Sequence, residues 1–325
     1  MKLWRASVSE AVLLGVLVLT FLVMSRLSPH FLTPQNLLEL PRFFAEVGLI
    51  ALAMTLVILT GGIDLSVGSI VGLSAVVLGV LHQGGIALPL AALAALLVGL
   101  GAGLVNGFLV TRVGIPPLIT TLATMAVFRG IALGISQGRA FRDYPDYFFF
   151  LGQGYVGPFP VQLFLFGALA LAFAILLSRT AFGRKVYAIG HNEVAMRFMG
   201  HDVDRVKLAV YTLSGTLSGL AALVLVSRFS TAKADLGQGF ELDAITAVVL
   251  GGTSISGGVG GIWGTVLGLL VVGAVRNGMT LAFINADVQQ MIIGGVLVAS
   301  VALYGLMDKL APMARRGREV GREAS

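Results

Sequence analysis

Long apolar runs separated by short polar breaks fill most of the chain, and their length predicts membrane helices. The runs fall at about residues 10–27, 43–60, 65–81, 86–111, 115–137, 161–178, 207–227, 243–257, 261–283 and 287–307. A helix needs about 20 apolar residues to cross the hydrocarbon layer. The pattern therefore predicts an all-α polytopic membrane protein of about ten transmembrane helices, forming one domain over residues 1–325. The eighth run is short and dissolves into glycines, which predicts a broken or re-entrant segment. The first run follows Lys2 and Arg5 as a signal peptide would, but no small-residue cleavage site follows it, so it is expected to remain as a span.

Composition supports the membrane reading. The 325 residues are 57% hydrophobic and 12% charged, with a mean hydropathy of +0.94. A soluble domain carries about 25% charged residues, so a water-soluble globule is excluded, as are disordered and coiled-coil chains. The 43 glycines suit close approach of helices in lipid. With no cysteine, disulfides and thiolate metal sites are excluded. The net charge of +6 is better read as loop orientation than as nucleic-acid binding. With ten spans and both termini in the cytoplasm, segments 1–9, about 112, 179–206 and 308–325, counting Lys207 at the membrane edge, hold 14 of the 22 Lys and Arg, as the positive-inside rule requires. The aromatic loop 138–160 then faces outward.

An internal repeat is visible. VILTGGIDLSVG at 57–68 aligns with AVVLGGTSISGG at 247–258, so that Gly61-Gly62 meets Gly251-Gly252, Ser66 meets Ser256, and Gly68 meets Gly258. Asn106-Gly107 and Asn277-Gly278 form a weaker second match. Transporters carry such repeats, with Gly-interrupted helices near the substrate path.

Charges at membrane depth are the next candidates, because each is costly unless paired or hydrated. Asp64 lies between two runs and reads either as a cap for the helix beginning near Ser66 or as a polar group lining or gating a path. Arg129 lies inside the fifth run, where it either pairs with an acid on another helix or serves the path. Glu46 and Asp243 sit near the starts of runs. The loop 179–206 is dense in charge. Within it, residues 192–199 read as a short helix with Asn192 as N-cap and Gly200 as stop. Ala195, Phe198 and Met199 would share its apolar face, offered to a partner's groove or laid on the membrane surface. No Walker A, HExxH or GxSxG motif occurs, and the four histidines lack metal-ligand spacing. The expectation is a chain that is not an enzyme, with no metal and no cofactor of its own.

Four motifs carry a family resemblance: TGGIDLSVGS at 60–69, NGFLVTRVGIPPLITTLAT at 106–124, FGRKVYAIGHNEVAMRFMG at 182–200 and ELDAITAVVLGGTSISGGVG at 241–260. Over about residues 30–305 the chain resembles the membrane subunit of an ATP-binding-cassette importer, of the branch containing ribose, xylose, rhamnose and autoinducer-2 permeases. The resemblance implies import of a monosaccharide by alternating access. It also implies a cytoplasmic ATP-binding subunit, an extracytoplasmic sugar-binding protein and a second permease subunit as partners, in a bacterial inner membrane. By the same resemblance Phe182, Gly183, Arg184, Gly190, Asn192, Ala195, Arg197 and Gly200 would form the ATPase coupling element. Asp64, Ser66, Gly68 and Arg129, with Asp243, Gly251, Gly252 and Thr253, would line or gate the path. The sequence departs from the family at His191, where glycine is common, and at His201, where an aliphatic residue is common. An ion-coupled secondary transporter of a small polar solute is the alternative reading.

Overall fold

A computed structural model describes residues 2–302, with side chains from Leu13 onward. The basic segment 308–325 lies outside the described residues. The helices are α1 (Lys2–Leu27), α2 (Pro34–Glu39), α3 (Ala45–Leu59), α4 (Val67–Gln83), α5 (Leu88–Phe108), α6 (Pro117–Ser136), α7 (Asp146–Gln153), α8 (Val161–Arg179), α9 (Ala181–His191), α10 (Glu193–Phe198), α11 (Val203–Phe229), α12 (Phe240–Leu250), α13 (Ile262–Leu281) and α14 (Ala286–Ala302). Strands β1 (Tyr155–Val156) and β2 (Phe159–Pro160) pair antiparallel after α7.

Among the described residues each of the ten apolar runs overlaps a helix, but they differ in reach. Helices α5 with its π-helical extension to Val113, α6, α8, α11 and α13 are long and apolar enough to cross a membrane alone. Residues Pro34–Phe43 and α3 pass the same test as a pair bent by 48°. The bend follows a 3-10 turn over Leu40–Phe43 containing Pro41, which has no amide hydrogen to donate within a helix. By length and composition, five helices among the described residues, or six with the bent pair taken as one, are able to cross a membrane unaided. The shorter apolar stretches Leu13–Leu27, α4 and α14 do not reach that length, and α12 falls furthest short. Its 11 residues rise only ~16 Å, about half a bilayer core. Beyond α12 the chain continues through the non-helical turn 251–261, so the expected break is present.

Helix α3 is buried at every one of its 15 positions. It is apolar all round, as a helix surrounded by others must be, and α8, α9, α11, α12 and α13 pack about it. Among the described residues the most extensive helix contact is α5 with α11. Gly99 and Gly103 of α5 face Gly215 and Gly219 of α11, and a Cβ at Gly99, Gly103 or Gly215 would strike the opposite backbone. This small-residue spacing lets two backbones touch where lipid supplies no hydrophobic drive. The bundle has two ends. One carries 28–44, 138–160 and 230–239, and the other carries 60–66, 180–202 and 251–261.

Part of the aromatic loop belongs to the core. Tyr144 and Phe148 are buried, and Tyr144 stacks on His82 at 5.4 Å between ring centroids. Phe141 forms an antiparallel bridge to Ala232, tying this loop to 230–239. Tyr147, Phe150 and Tyr155 remain exposed, as an interfacial role requires.

Candidate functional site

Asp64 sits in the non-helical stretch between α3 and α4 and is fully buried. Its Oδ1 accepts from the Ser66 amide at 3.0 Å and the Ser66 hydroxyl at 2.7 Å, and its Oδ2 accepts from Ser214 Oγ of α11 at 2.8 Å. Asn106 of α5 donates to Ser66 Oγ at 2.7 Å. Asp64 thus secures the residue that precedes α4, instead of capping an amide in its first turn. It pins the turn to α5 and α11. Gly68, the second residue of α4, leaves room for the Glu241 carboxylate and the Gly237 carbonyl.

Arg129 has carbonyl partners where an acid was one expectation. Its guanidinium donates to the carbonyls of Ala234 and Leu236, and so holds the connection 230–239 against α6. Two acids at this end of the bundle hold other arginines. Glu46 of α3 receives Arg228 of α11 at 3.0 Å through both carboxylate oxygens. Asp243 of α12, fully buried, receives Arg276 of α13 at 2.7 and 2.8 Å.

These two ion pairs lie in the lining of a cavity of about 550 Å³. Phe43, Phe229 and Phe240 also line it, with Lys233, Asp235 and Gln238 from the pinned connection. Of the eight residues expected on a path, Asp243 lines this cavity. Asp64 and Ser66 form the buried cluster described above, and Arg129 stands behind the connection. Glu46, Arg228 and Arg276 were not among the expected path residues. Their signal was present as charges at the ends of, or within, apolar runs that terminate at the same face.

Gly251, Gly252 and Thr253 lie at the opposite end, and there the two glycine turns meet. The Gly258 amide donates to the Leu59 carbonyl at 3.0 Å, joining the turn after α12 to the end of α3. Helix α9 closes on both. Tyr187 OH donates to the Gly260 carbonyl at 2.9 Å, and Gly190 lies so near that a Cβ would strike the Leu59 carbonyl and the Gly258 amide. Gly61 and Gly252 take left-handed backbone, φ 77° and 86°, which residues with a Cβ rarely adopt. Gly251 packs against the Gly264 backbone, and Thr253 is buried.

The expected coupling residues divide accordingly. Gly183 and Gly190 face inward, and Phe182 packs against the core. Arg184, Asn192, Arg197 and Gly200 are exposed, and Ala195 is half-buried. The foreseen helix is α10: Asn192 Oδ1 accepts from the Ala195 amide at 2.9 Å, and Gly200 ends the turn at φ 78°. Met196 roots α10 in the core, whereas Val194, Phe198 and Met199 are exposed, Phe198 at 88%. Glu193 joins α10 to α11, taking Arg197 at 2.9 Å and Lys207, while Arg197 also reaches Asp204 at 2.6 Å. Burial pushes the Glu193 carboxyl up, but Lys207 and Arg197 outweigh it and hold the group below its ordinary value. Among the described residues no cluster of three or more His, Cys, Asp or Glu is placed to hold a metal ion.

Comparison with known proteins adds ancestry. Residues 36–301 match the family described as branched-chain amino acid transport system / permease component. The ribose import permease protein of Bacillus subtilis (strain 168) is 44% identical over 295 residues, covering 89% of this chain and 90% of that protein. The autoinducer 2 import system permease protein of Salmonella typhimurium is 37% identical, covering 93% and 92%. The ribose import permease protein of Escherichia coli (strain K12) is 36% identical, covering 92% and 94%. A solved structure described as an inward-facing conformation of a metal-chelate type ABC transporter shares the fold with TM-score 0.50 at 16% identity, over 93% of this chain and 99% of that one.

Proposed function

Since the chain belongs to the branched-chain amino acid transport system / permease component family, we propose that it is the membrane-spanning permease subunit of an ABC importer for a monosaccharide. It works in the inner membrane of a bacterium. A pentose such as ribose comes first among substrates, because the 44% identical relative is a ribose import permease. An autoinducer-2 or rhamnose-like sugar comes second. ATP hydrolysis belongs to a separate cytoplasmic subunit. An extracytoplasmic binding protein delivers the sugar, and a second permease subunit, identical or different, completes the path. The shorter helices complete ten crossings, with both termini in the cytoplasm.

The observation that carries this reading is the α9–α10 element. Its tip presents Val194, Phe198 and Met199 to solvent, the kind of apolar helix surface that a partner's groove receives. Its root touches both glycine turns. A motor that grips α10 differently in its two nucleotide states therefore pulls directly on the two breaks in the bundle. Differential binding of this kind is what any driver of a two-state equilibrium requires. A secondary transporter has no use for such an element.

The test is uptake of radiolabelled D-ribose, L-rhamnose and D-xylose by cells lacking their own import systems. These cells express the chain with its neighbouring ATPase and binding-protein genes. Saturable uptake of one sugar that vanishes without the ATPase supports the reading. Uptake that persists without the ATPase but collapses with the proton gradient overturns it.

A further inference from the structure

The cavity between the two ion pairs has a ligand chemistry of its own. We propose that it is a binding site for one neutral, polyhydroxylated solute in each subunit, where the sugar rests on its way into the path. This rests on the reading of the chain as a sugar importer's permease, which also places the cavity on the extracytoplasmic side.

Size comes first. About 550 Å³ lies within the range of small-molecule sites. The frame is fixed before any ligand arrives. Glu46 and Arg228 clamp α3 to α11, and Asp243 and Arg276 clamp α12 to α13. Arg129 and the Phe141–Ala232 bridge hold the connection 230–239 in place.

Charge decides the class of ligand. Four basic and three acidic side chains line the cavity, so it has almost no net charge with which to attract an anion or a cation. Both buried carboxylates already hold a guanidinium. A zwitterion such as an amino acid gains little net attraction from pairs that already neutralise each other, whereas a neutral polyol needs none. Each hydroxyl both donates and accepts, so it can donate to a spare carboxylate lone pair and accept from a spare guanidinium N–H. Such an N–H is present: Arg276 Nε is buried without a hydrogen-bond partner. A buried donor left unpaired carries a penalty that an entering hydroxyl would remove. Phe43, Phe229 and Phe240 supply apolar surface for the C–H faces of a sugar ring. At the mouth, Lys233, Asp235 and Gln238 are exposed and add polar contacts.

The full chain, assembled with its ATPase in nanodiscs and without the binding protein, is dialysed against radiolabelled D-ribose, L-rhamnose, D-xylose and L-leucine. The expected result is saturable binding of at least one of the three sugars, one per permease chain, and none of leucine. Gln238→Trp, which fills the mouth from an exposed position, is expected to weaken sugar binding at least tenfold. It should also raise the KM for uptake while leaving co-purification of the ATPase unchanged. Wild-type sugar binding in a Gln238→Trp complex of normal assembly would overturn the site. So would failure of all three sugars to bind a complex that imports one of them with its binding protein, an outcome that leaves the proposed function standing. Saturable leucine binding without any sugar uptake would overturn both.

Discussion

Replacing Gly190 by alanine places a methyl group where α9 meets both glycine turns. The two atoms it would strike, the Leu59 carbonyl oxygen and the Gly258 amide nitrogen, are backbone, and they already form the 3.0 Å bond that joins the turns. Neither can rotate aside as a side chain would. The methyl therefore either pushes α9 away or opens that bond. Overpacking of this kind costs about 1–3 kcal/mol, and contact with two backbone atoms puts this case at the upper end. Alanine regains about 1 kcal/mol of helix propensity within α9. The net is a local loss of about 2 kcal/mol, equivalent to a factor of roughly 30 in the population of the closed contact. That is small beside the stability of the whole bundle, so the protein should insert and still bind its ATPase through α10, while the pull on the two turns weakens. In proteoliposomes holding the complete importer, Gly190→Ala is expected to retain at least half of the ATP hydrolysis and to lose at least tenfold in sugar moved per ATP. Gly101→Ala is the control, because a Cβ there meets nothing within 4 Å. It should behave as wild type. A wild-type transport ratio in Gly190→Ala would refute the idea that α9 drives the turns.

Phe198→Asp puts a charge on the exposed tip of α10 and should abolish ATPase co-purification while leaving the amount of inserted protein unchanged; normal co-purification would remove α10 from the docking surface. Asp64→Ala leaves the Ser66 amide and the Ser66 and Ser214 hydroxyls without their acceptor, at about 1–3 kcal/mol per stranded group. The Tm of the detergent-solubilised protein should fall by several degrees, with Asp64→Asn less affected, and an unchanged Tm in Asp64→Ala would show that the cluster is not structural. The lowered Glu193 carboxyl stabilises α10 fully above the ordinary glutamate range, and this contribution is lost as pH falls through its folded value, which lies below that range. Limited proteolysis of 180–202 should therefore show α10 as protected at pH 5 as at pH 7 and cut faster only below the glutamate range. The pairs are partly exposed and contribute at most about 1 kcal/mol each, so salt should blunt the effect; loss of protection between pH 7 and 5 would assign control to another group.

What can be read in the chain beforehand divides by range. The α10 helix is legible because capping is local: Asn192 binds an amide three residues on, and Gly200 supplies the left-handed stop. The apolar runs are legible for the same reason, since each reports its own burial. Helices α2, α7 and α9 are not, because they are too short or too polar to stand out as runs. Long-range pairing leaves no local trace. Glu46 and Arg228 lie 182 residues apart, and Asp64 and Ser214 lie 150 apart. From sequence, Asp64 as a cap and Asp64 as a gate look alike, and only the serine from α11 and the asparagine from α5 make it a buried staple. Arg129 illustrates the same limit, since backbone carbonyls as partners have no sequence signature at all.

The arrangement also says where the bundle is able to move. Motion has to spare α3, whose whole surface is packed, and the α5–α11 seam, where backbone lies on backbone. It has to spare the two ion pairs as well, because opening either leaves a buried carboxylate, Glu46 or Asp243, without its guanidinium. The turns at 60–62 and 251–261 carry no such cost. Their first amides only close the ends of α3 and α12 without continuing them, they hold left-handed glycines, and the Gly258–Leu59 backbone bond ties the second turn to the helix end before the first. A push on α9 therefore meets least resistance at the glycine turns and most at the charged end. On the proposed orientation, the cytoplasmic side yields while the cavity that faces the binding protein keeps its shape. This asymmetry predicts that disulfides engineered between α9 and the 251–261 turn block transport, whereas one joining α11 to α3 near Glu46 does not. If both crosslinks block equally, the bundle rocks as a whole and the glycine turns are not its hinge.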